Sequence, residues 1–156
     1  MTPRVGLGFD IHPFSADQDR PLVLGGVTLD GPGLVGHSDA DAVAHAIADA
    51  LLGAAGLGDI GTHFPDDDPA YAGVDSMDLL DRVVLTLSSH WEVGNVDVTV
   101  VLEAPKLAPY REAMERRLTA VIGAPVSVKA KRAEALGALG RREGIACFAV
   151  ALLMPR

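Results

Sequence analysis

Three side chains in the first third of the sequence have the types and spacing of a metal-ligand set. Asp10 and His12 are two residues apart in an alternating stretch, so a strand would point both side chains the same way. His45 lies in an Ala-rich segment with helical periodicity. One carboxylate and two imidazoles can hold Zn²⁺ and leave a fourth position for substrate or water. We therefore predict a zinc site formed by Asp10, His12 and His45.

The segment around His45 also places an acidic residue one helical turn away on either side. Asp41 and Asp49 are each four residues from His45, so a helix would carry all three on one stripe. Because metal-bound histidines are usually oriented by a second polar group, we interpret the two acids as orienting partners of His45. The alternative is an exposed histidine between two solvated carboxylates. Ser38 or Asp39 is predicted to cap this helix.

Composition narrows the classes of protein that fit. The 156 residues predict one domain, spanning residues 1–156, and a net charge of -8 argues against general nucleic-acid binding. A phosphorylated small molecule would need metal ions or a local cluster of Lys and Arg in so acidic a protein. Cys147 lies in an apolar run, which favours a buried thiol. No apolar run approaches the roughly 18 residues of a membrane span, and no signal-peptide core is present, so we expect a cytoplasmic protein.

The remaining periodicity predicts an α+β fold, with helices layered on one face of a mixed β-sheet. A long surface loop without periodicity is predicted at residues 57–68, and a glycine-spaced basic loop at 137–144. The last strand is long enough to be central. Strands are predicted at 4–12, 95–102, 125–131 and 145–154, a hairpin at 21–29 around Gly25-Gly26, and helices after Ser38, at 76–89 and at 109–122.

Two groups of basic residues follow predicted strand ends. Lys106 follows one strand, and Lys131, Arg132, Arg141 and Arg142 follow another. In an acidic protein these side chains are the natural contacts for an anionic ligand. For any one of them, the alternative is an ordinary solvated surface cation.

Six sequence segments together resemble the 2-C-methyl-D-erythritol 2,4-cyclodiphosphate synthases of the non-mevalonate isoprenoid pathway. They are GLGFDIHPF, GHSDADAVAHAIADALLGAAGLGDIG, FPDDDP, GNVDVTV, EAPK and GRREGIA. The resemblance runs from Arg4 to about Leu153. It implies a homotrimer related to ferredoxin-like folds, with active sites between neighbouring subunits. It also implies a phosphorus–oxygen lyase that converts 4-diphosphocytidyl-2-C-methyl-D-erythritol 2-phosphate to the 2,4-cyclodiphosphate and releases CMP.

The resemblance also implies roles for individual residues. Zn²⁺, one per subunit, would bind Asp10, His12 and His45, and a second divalent ion, Mg²⁺ or Mn²⁺, would contact Glu134. His37 is implied as a catalytic group that positions the reacting phosphate. Residues 59–61 and 64–66 would hold the methylerythritol part, and 104–107 the cytidine and diphosphate. The full set of implied substrate contacts is Asp10, His12, His37, Ser38, Asp59, Ile60, Gly61, Phe64, Pro65, Asp66, Ala104, Pro105, Lys106, Leu107, Lys131, Arg132, Ala133, Glu134, Ala138 and Arg141.

The sequence departs from the family pattern at two positions. Arg132 stands where the family usually has a threonine that stabilises the transition state, and we interpret Arg132 as a catalytic replacement that contacts phosphate. The alternative is that it points to solvent. Ala138 stands where the family has a phenylalanine, in a loop that lines a threefold-axis cavity able to hold isoprenoid diphosphates. Arg141 and Glu143 keep the polar pair of that loop.

Three other functions are compatible with these residues. The first is a metal- and cytidine-nucleotide-binding relative with weak or no cyclase activity. The second is a structural trimer that binds metal without chemistry. The third is a generic metallohydrolase, which would give linear products and phosphate.

Overall fold

The computed structural model describes residues 1–156, and its centre is a four-stranded mixed sheet. The strand order is β1, β6, β4, β5; β4 and β5 are parallel and the other neighbours are antiparallel. The predicted mixed sheet and the inner position of the last strand are confirmed, and the predicted hairpin around Gly25-Gly26 forms a separate ribbon. The strands are β1 Arg4–Pro13, β2 Leu22–Leu24, β3 Val27–Leu29, β4 Trp91–Val101, β5 Val126–Lys131 and β6 Gly144–Pro155.

Three long helices cover one face of the sheet. They are α1 Ala42–Ala55, α3 Ser76–Leu87 and α4 Ala108–Ile122, and three shorter pieces are α2 Ile60–His63, a 3₁₀ turn Pro69–Tyr71 and α5 Gly137–Gly140. Helix α1 packs on β1 and β6, α4 packs on β5, and α3 packs against both helices. The layering on one face is as predicted, whereas the relation to ferredoxin-like folds stays a prediction. None of the helices has both the length and the apolar character needed to cross a membrane.

The two predicted loops are corrected in part. Residues 57–68 contain α2, and residues 137–144 contain α5. Each of these helices is a single turn of four residues, which is too short to produce a periodic apolar pattern. Helix α2 is held instead by a local cap, because the Asp59 side chain accepts a hydrogen bond from the Thr62 backbone N–H.

Close packing between β1 and α1 depends on two glycines. A Cβ atom at Gly6 would lie 1.9 Å from the Ala50 carbonyl oxygen, and one at Gly8 would lie 1.8 Å from the Ala46 carbonyl oxygen. Only glycine therefore permits this approach of helix to strand. Asp10 and His12 follow on the same face of β1, so the approach that the glycines allow brings α1 directly over them.

The opposite face of the sheet exposes apolar side chains. On β1 and β6, six of them are 42–69% exposed: Val5, Leu7, Phe9, Ile11, Phe148 and Val150. Phe9 and Phe148 are neighbours across the two strands, with ring centroids 5.0 Å apart. A contiguous apolar patch of this kind is typical of a protein–protein interface. By contrast, Cys147 lies on the covered face and is fully buried, as predicted.

Candidate active site

The three predicted zinc ligands converge in the structure. Asp10 and His12 extend from β1, and His45 lies in the first turn of α1. The Asp10 Oδ2 atom is 2.7 Å from His12 Nε2 and 3.2 Å from His45 Nδ1. The three potential ligand atoms all lie within 4.8 Å of one another. The strand and the helix thus bring together the set that the sequence spacing predicts.

The remaining ring nitrogens of both histidines have partners of their own. His12 Nδ1 lies 2.7 Å from the Val35 carbonyl oxygen, so it must carry the proton and donate. His45 Nε2 lies 2.8 Å from Ser76 Oγ and 3.2 Å from Ser38 Oγ. These contacts keep a proton on His12 Nδ1 and place an acceptor next to His45 Nε2, so that loss of the protons facing Asp10 would leave the lone pairs of His12 Nε2 and His45 Nδ1 directed toward a bound cation. The donor set therefore fits Zn²⁺, which takes carboxylate oxygen and imidazole nitrogen in tetrahedral sites.

The electrostatics of these residues also suit a cation. Burial disfavours the charged form of Asp10, but hydrogen bonds from His12 and His45 lower its pKa below the ordinary value. Burial likewise disfavours the imidazolium of His12, but its hydrogen bond to Asp10 and the carboxylate charge raise its pKa. The carboxylate thus attracts positive charge into this position. A divalent ion would take the place of the protons on the ligand atoms.

The predicted role of Asp41 is wrong. Its side chain caps α1 by accepting a hydrogen bond from Ala44 N at 3.0 Å, so neither Ser38 nor Asp39 is the cap. The same fully buried carboxylate accepts hydrogen bonds from Gly25 N and Gly26 N, both at 2.8 Å. Burial raises the pKa of Asp41 to about 6. Asp41 satisfies three backbone N–H groups and ties the β2–β3 turn to α1 rather than orienting His45.

The predicted role of Asp49 is wrong as well. Its Oδ1 atom accepts a hydrogen bond from Ile60 N at 2.8 Å, which anchors the start of α2 to the side of α1. Burial raises the pKa of Asp49. The spacing of Asp41, His45 and Asp49 in the sequence relates His45 only to residues on its own helix. The polar groups that contact its ring, Ser38 and Ser76, come from the preceding loop and from α3.

A cavity of about 370 Å³ opens above the three metal-ligand candidates. Six further residues predicted to contact substrate line it: His37, Ser38, Ile60, Gly61, Phe64 and Asp66. The ring of His37 is held by a 2.8 Å hydrogen bond between Nε2 and the Asp68 carbonyl oxygen. The cavity therefore joins the predicted metal site to the segments predicted to hold the methylerythritol part.

The lining of this cavity differs from the prediction in two ways: two predicted substrate contacts do not line it, and four residues that were not predicted do. Asp59 and Pro65 do not line the cavity, and the Asp59 carboxylate accepts hydrogen bonds from Thr62 N and Oγ1, both at 2.8 Å. These hydrogen bonds lower the pKa of Asp59. The unpredicted lining residues are Val35, Gly36, Tyr71 and Leu79. Tyr71 packs edge-on against Phe64, with ring centroids 5.4 Å apart, and no local sequence signal indicates that contact.

The predicted phosphate and nucleotide contacts lie at or after the carboxyl ends of β4 and β5. None of these residues, from Ala104 to Leu107 and from Lys131 to Glu134, lines the 370 Å³ cavity. Ala138 and Arg141 do not line it either. Lys106 is exposed, whereas Leu107 belongs to the hydrophobic core. Within one chain, the structure therefore does not bring this second group of predicted residues to the metal-ligand candidates.

Arg132 contacts Glu103, which lies two residues after the end of the neighbouring strand β4. Glu103 Oε2 accepts hydrogen bonds from Arg132 Nη2 at 3.0 Å and from Nε at 3.3 Å. The other oxygen, Oε1, accepts from Ala133 N at 2.7 Å. The Arg132 guanidinium lowers the pKa of Glu103. The side chain of Glu103 is 3% exposed and that of Arg132 is 65% exposed, so the pair joins a buried acid to a cation at the surface.

The turn after Arg132 has an unusual backbone. Glu134 and Ala135 have φ angles of 55° and 60°, a left-handed conformation that non-glycine residues seldom adopt. Such conformations often occur at functional sites, where the surrounding structure holds them. Here the hydrogen bond from Ala133 N to Glu103 fixes the residue just before the turn. Glu134 is exposed.

Comparison with known proteins decides the family. The profile of the YgbB family matches residues 3–154, nearly the whole chain. The chain belongs to the YgbB family. A curated relative from Symbiobacterium thermophilum, named 2-C-methyl-D-erythritol 2,4-cyclodiphosphate synthase, is 54% identical over 157 residues. The alignment covers 97% of this chain and 99% of that relative. The resemblance found in the sequence is confirmed.

Solved structures give the same family at the level of the fold. The bifunctional IspDF of Campylobacter jejuni superposes with a TM-score of 0.93 at 38% identity, and the match covers 99% of this chain and 42% of that one. The CDP complex of IspF from Plasmodium falciparum superposes with a TM-score of 0.86 at 35% identity, with 99% and 97% of the two chains covered. This chain therefore has the same arrangement of sheet and helices as these two structures.

Proposed function

We propose that the protein converts 4-diphosphocytidyl-2-C-methyl-D-erythritol 2-phosphate to 2-C-methyl-D-erythritol 2,4-cyclodiphosphate and CMP, a step in non-mevalonate isoprenoid precursor synthesis. The observation that carries this function is the convergence of Asp10, His12 and His45 beneath a cavity. Its support is the 54% identity to a cyclodiphosphate synthase over almost the full length of both chains. The protein is accordingly a phosphorus–oxygen lyase.

The reaction needs alignment more than covalent catalysis. An oxygen of the substrate's 2-phosphate attacks the β-phosphorus, and the bond from that phosphorus to the oxygen bridging to the α-phosphorus breaks. CMP leaves with the bridging oxygen, so no water is consumed and no protein nucleophile is required. The protein's contribution is to bring nucleophile and leaving group into line and to offset the charge on the phosphates.

Two ion sites are part of the proposal. Asp10, His12 and His45 would hold one Zn²⁺ per subunit, and Glu134 would contact a second divalent ion, Mg²⁺ or Mn²⁺, together with substrate. When bound, such ions supply positive charge next to the phosphate oxygens. His37, fixed by the Asp68 carbonyl at one face of the cavity, would position the reacting phosphate. Ile60, Gly61 and Phe64 would hold the methylerythritol part.

A diphosphocytidyl ligand accounts for the second group of predicted residues. The segment from Ala104 to Leu107 would hold the cytidine and diphosphate, with the exposed ammonium of Lys106 as an anion contact. The CDP complex of IspF from Plasmodium falciparum supports a nucleotide of this class. Arg132 Nε and Nη2 donate to Glu103, so the remaining N–H groups of the guanidinium would contact phosphate. Arg132 would thus replace the family threonine, but with a different hydrogen-bond geometry.

A homotrimer would complete the site. The metal-ligand candidates and the nucleotide segment line no common cavity in one chain, which supports an active site shared between neighbouring subunits. The exposed apolar side chains of β1 and β6 supply a surface suited to such assembly. On the threefold axis, Arg141 and Glu143, whose side chains pair at 2.7 Å, would face a cavity able to take an isoprenoid diphosphate. Ala138 would make that cavity wider than a phenylalanine does.

Product analysis by ³¹P NMR tests the proposed function directly. Incubation of the zinc-loaded protein with the diphosphocytidyl substrate and Mg²⁺ should give the cyclic diphosphate and CMP in equal amounts. Removal of metal with a chelator should stop the reaction, and added Zn²⁺ should restore it. Linear products with inorganic phosphate would indicate a hydrolase instead. Binding of the substrate without release of CMP would indicate a relative that lacks cyclase activity.

A further inference from the structure

The ring of His45 is held from the side opposite Asp10 by a residue of another helix. His45 Nε2 lies 2.8 Å from the Oγ of Ser76, which is the first residue of α3 and is 1% exposed. The same hydroxyl forms a short hydrogen bond with Asp39 Oδ1. The second Asp39 oxygen accepts a hydrogen bond from Ser76 N at 3.2 Å. The connection therefore runs from the imidazole through one hydroxyl to one carboxylate.

The chemistry of the three groups sets the direction of these hydrogen bonds. An ionised carboxylate only accepts, so the Ser76 hydroxyl proton must point to Asp39. The Ser76 oxygen is then an acceptor toward His45, and His45 Nε2 must carry the ring proton. In a neutral imidazole this leaves the lone pair on Nδ1, the atom that faces Asp10 at 3.2 Å. The arrangement thus selects the tautomer and ring orientation that metal binding needs.

Ser38 is a weaker partner for the same nitrogen. Its Oγ lies 3.2 Å from His45 Nε2 and also accepts a hydrogen bond from Ala40 N at 3.2 Å. It has no carboxylate contact that would orient its own proton. Asp39, in contrast, holds both the N–H and the hydroxyl of Ser76, so the position of Ser76 is fixed at the start of α3. Of the two hydroxyl groups that contact His45 Nε2, that of Ser76 is therefore the nearer and the better fixed.

We propose that Ser76 and Asp39 are positioning residues for the metal centre: the Asp39 carboxylate orients the Ser76 hydroxyl, which orients His45 with Nδ1 toward the metal. This inference rests on the proposed zinc site of the enzyme, and neither residue needs to touch substrate. Removal of such an orienting partner typically weakens metal binding about 10- to 100-fold. Substitution of either residue should therefore weaken zinc affinity without a matching loss of fold stability.

The experiment measures zinc affinity of the full-length protein by competition with a chelator of known affinity. Ser76→Ala and Asp39→Asn should each bind Zn²⁺ about 10- to 100-fold more weakly than the parent. Ser76→Thr keeps the hydroxyl and should recover most of the affinity. Substitution of Co²⁺ adds a spectroscopic readout, because a reoriented imidazole should change the visible absorption of the bound ion in Ser76→Ala.

Asp75→Ala is the matched control. The Asp75 side chain caps the same helix through Met77 N at 2.8 Å but has no hydrogen bond to Ser76 Oγ, Asp39 or His45. Its loss should lower the melting temperature while zinc affinity stays within twofold of the parent. If Asp75→Ala weakens zinc binding as much as Ser76→Ala does, the effect comes from α3 stability and the proposal is wrong.

The remaining outcomes separate this inference from the proposed function. Parent-like zinc affinity in Ser76→Ala would overturn the positioning role, while zinc binding that still depends on His45 would leave the proposed metal site intact. Zinc affinity unchanged in His45→Ala would overturn both. Should Ser76→Ala fail to fold, Asp39→Asn decides, since it is close in shape to the parent and parent-like zinc affinity in it contradicts the proposal.

Discussion

The metal-ligand region, formed by Asp10, His12 and His45, and the nucleotide region, formed by the segments proposed to hold nucleotide and phosphate, differ in how completely one chain builds them. Asp10, His12 and His45 are largely buried, and every ring nitrogen of the two histidines has a partner. In the nucleotide region, Lys106, Lys131 and Glu134 are exposed. In this region the Glu103 side chain accepts hydrogen bonds from Arg132 and from Ala133 N, and these bonds hold the end of β5 next to the end of β4.

This difference indicates that the metal-ligand region is preorganised in one chain, whereas the nucleotide region is completed by other molecules. The glycine-mediated approach of α1 to β1 holds the three metal-ligand candidates together within one chain. We expect the phosphate and nucleotide contacts to be completed by the ligand and by a neighbouring subunit, because exposed cations retain their hydration until binding. If this is correct, substitutions in the first region should abolish function, and substitutions in the second should reduce it.

The largest effect is expected from His45→Ala. Loss of one of three protein ligands should remove the zinc and nearly all cyclase activity, while the subunits stay folded and assembled. Metal analysis by mass spectrometry, together with circular dichroism, checks both parts. His90→Ala is the control, since this exposed histidine lies outside the cluster and should leave zinc content and turnover unchanged. A full zinc content in His45→Ala would refute the ligand assignment.

Gly8→Ala should disrupt the metal-ligand region by a steric clash with the backbone, without changing any of the three ligand side chains. The new Cβ would meet the Ala46 carbonyl oxygen at 1.8 Å, so β1 and α1 must separate. Overpacking of this kind costs about 3 kcal/mol or more when neither side can relax. Urea unfolding should show this loss, with zinc affinity falling as His45 moves away from Asp10.

Gly53→Ala provides the contrast for that measurement. Gly53 lies in α1, and a Cβ there would meet nothing within 4 Å. Alanine in a helix interior is favoured over glycine by roughly 0.5–1 kcal/mol, so this variant should be more stable than the parent. Equal stability of the two alanine variants would show that close packing of β1 against α1 is not what holds the region together.

Leu7→Asp tests whether the second region depends on assembly. Leu7 is 67% exposed on the apolar face of β1, where a carboxylate would be buried in the proposed trimer. We expect dissociation in analytical ultracentrifugation and a large loss of turnover, with zinc still bound. Leu85→Asp is the control, because Leu85 is 63% exposed on α3, away from the sheet face. An active Leu7→Asp monomer would contradict an active site shared between subunits.

Arg132→Ala should have the smallest of these effects. A charge-assisted hydrogen bond to phosphate contributes about 1.5–3 kcal/mol, so turnover should fall roughly tenfold to a hundredfold. Arg116→Ala, which removes an exposed cation on α4, should change nothing. Arg132→Thr separates two cases: a turnover at or above the parent value would mean that the site works as in the family. Parent-like rates in both Arg132 variants would show that this guanidinium does not contact substrate.

Sequence alone predicted that Asp10, His12 and His45 lie together because their signals are local. The period of two in β1 places Asp10 beside His12, and the Ala-rich helix supplies His45. The partners of these ligands were not predictable. Ser76 is 31 residues from His45, and only the packing of α3 on α1 brings them together. Asp41 and Asp49 had the right helical spacing but are engaged by backbone N–H groups from other segments.

The main elements followed from periodicity, whereas their pairing did not. Strands β4 and β5, and helices α3 and α4, were predicted within a few residues of their ends. The parallel register that pairs Val101 with Lys131 has no sequence signal, so the contact of Glu103 with Arg132 could not be foreseen. Helix α2 consists of one turn held by Asp59 and Thr62, which is shorter than any period that can be detected.

Zinc K-edge X-ray absorption on the purified protein most directly tests whether one chain builds the metal centre in advance. We expect one zinc per subunit, with two imidazole nitrogens and at least one carboxylate oxygen at about 2.0–2.2 Å, before any substrate is added. The same spectrum should persist in the Leu7→Asp variant after the subunits separate. Sulfur scattering, an absence of imidazole ligands, or loss of zinc on dissociation would contradict a centre formed by Asp10, His12 and His45 within a single chain.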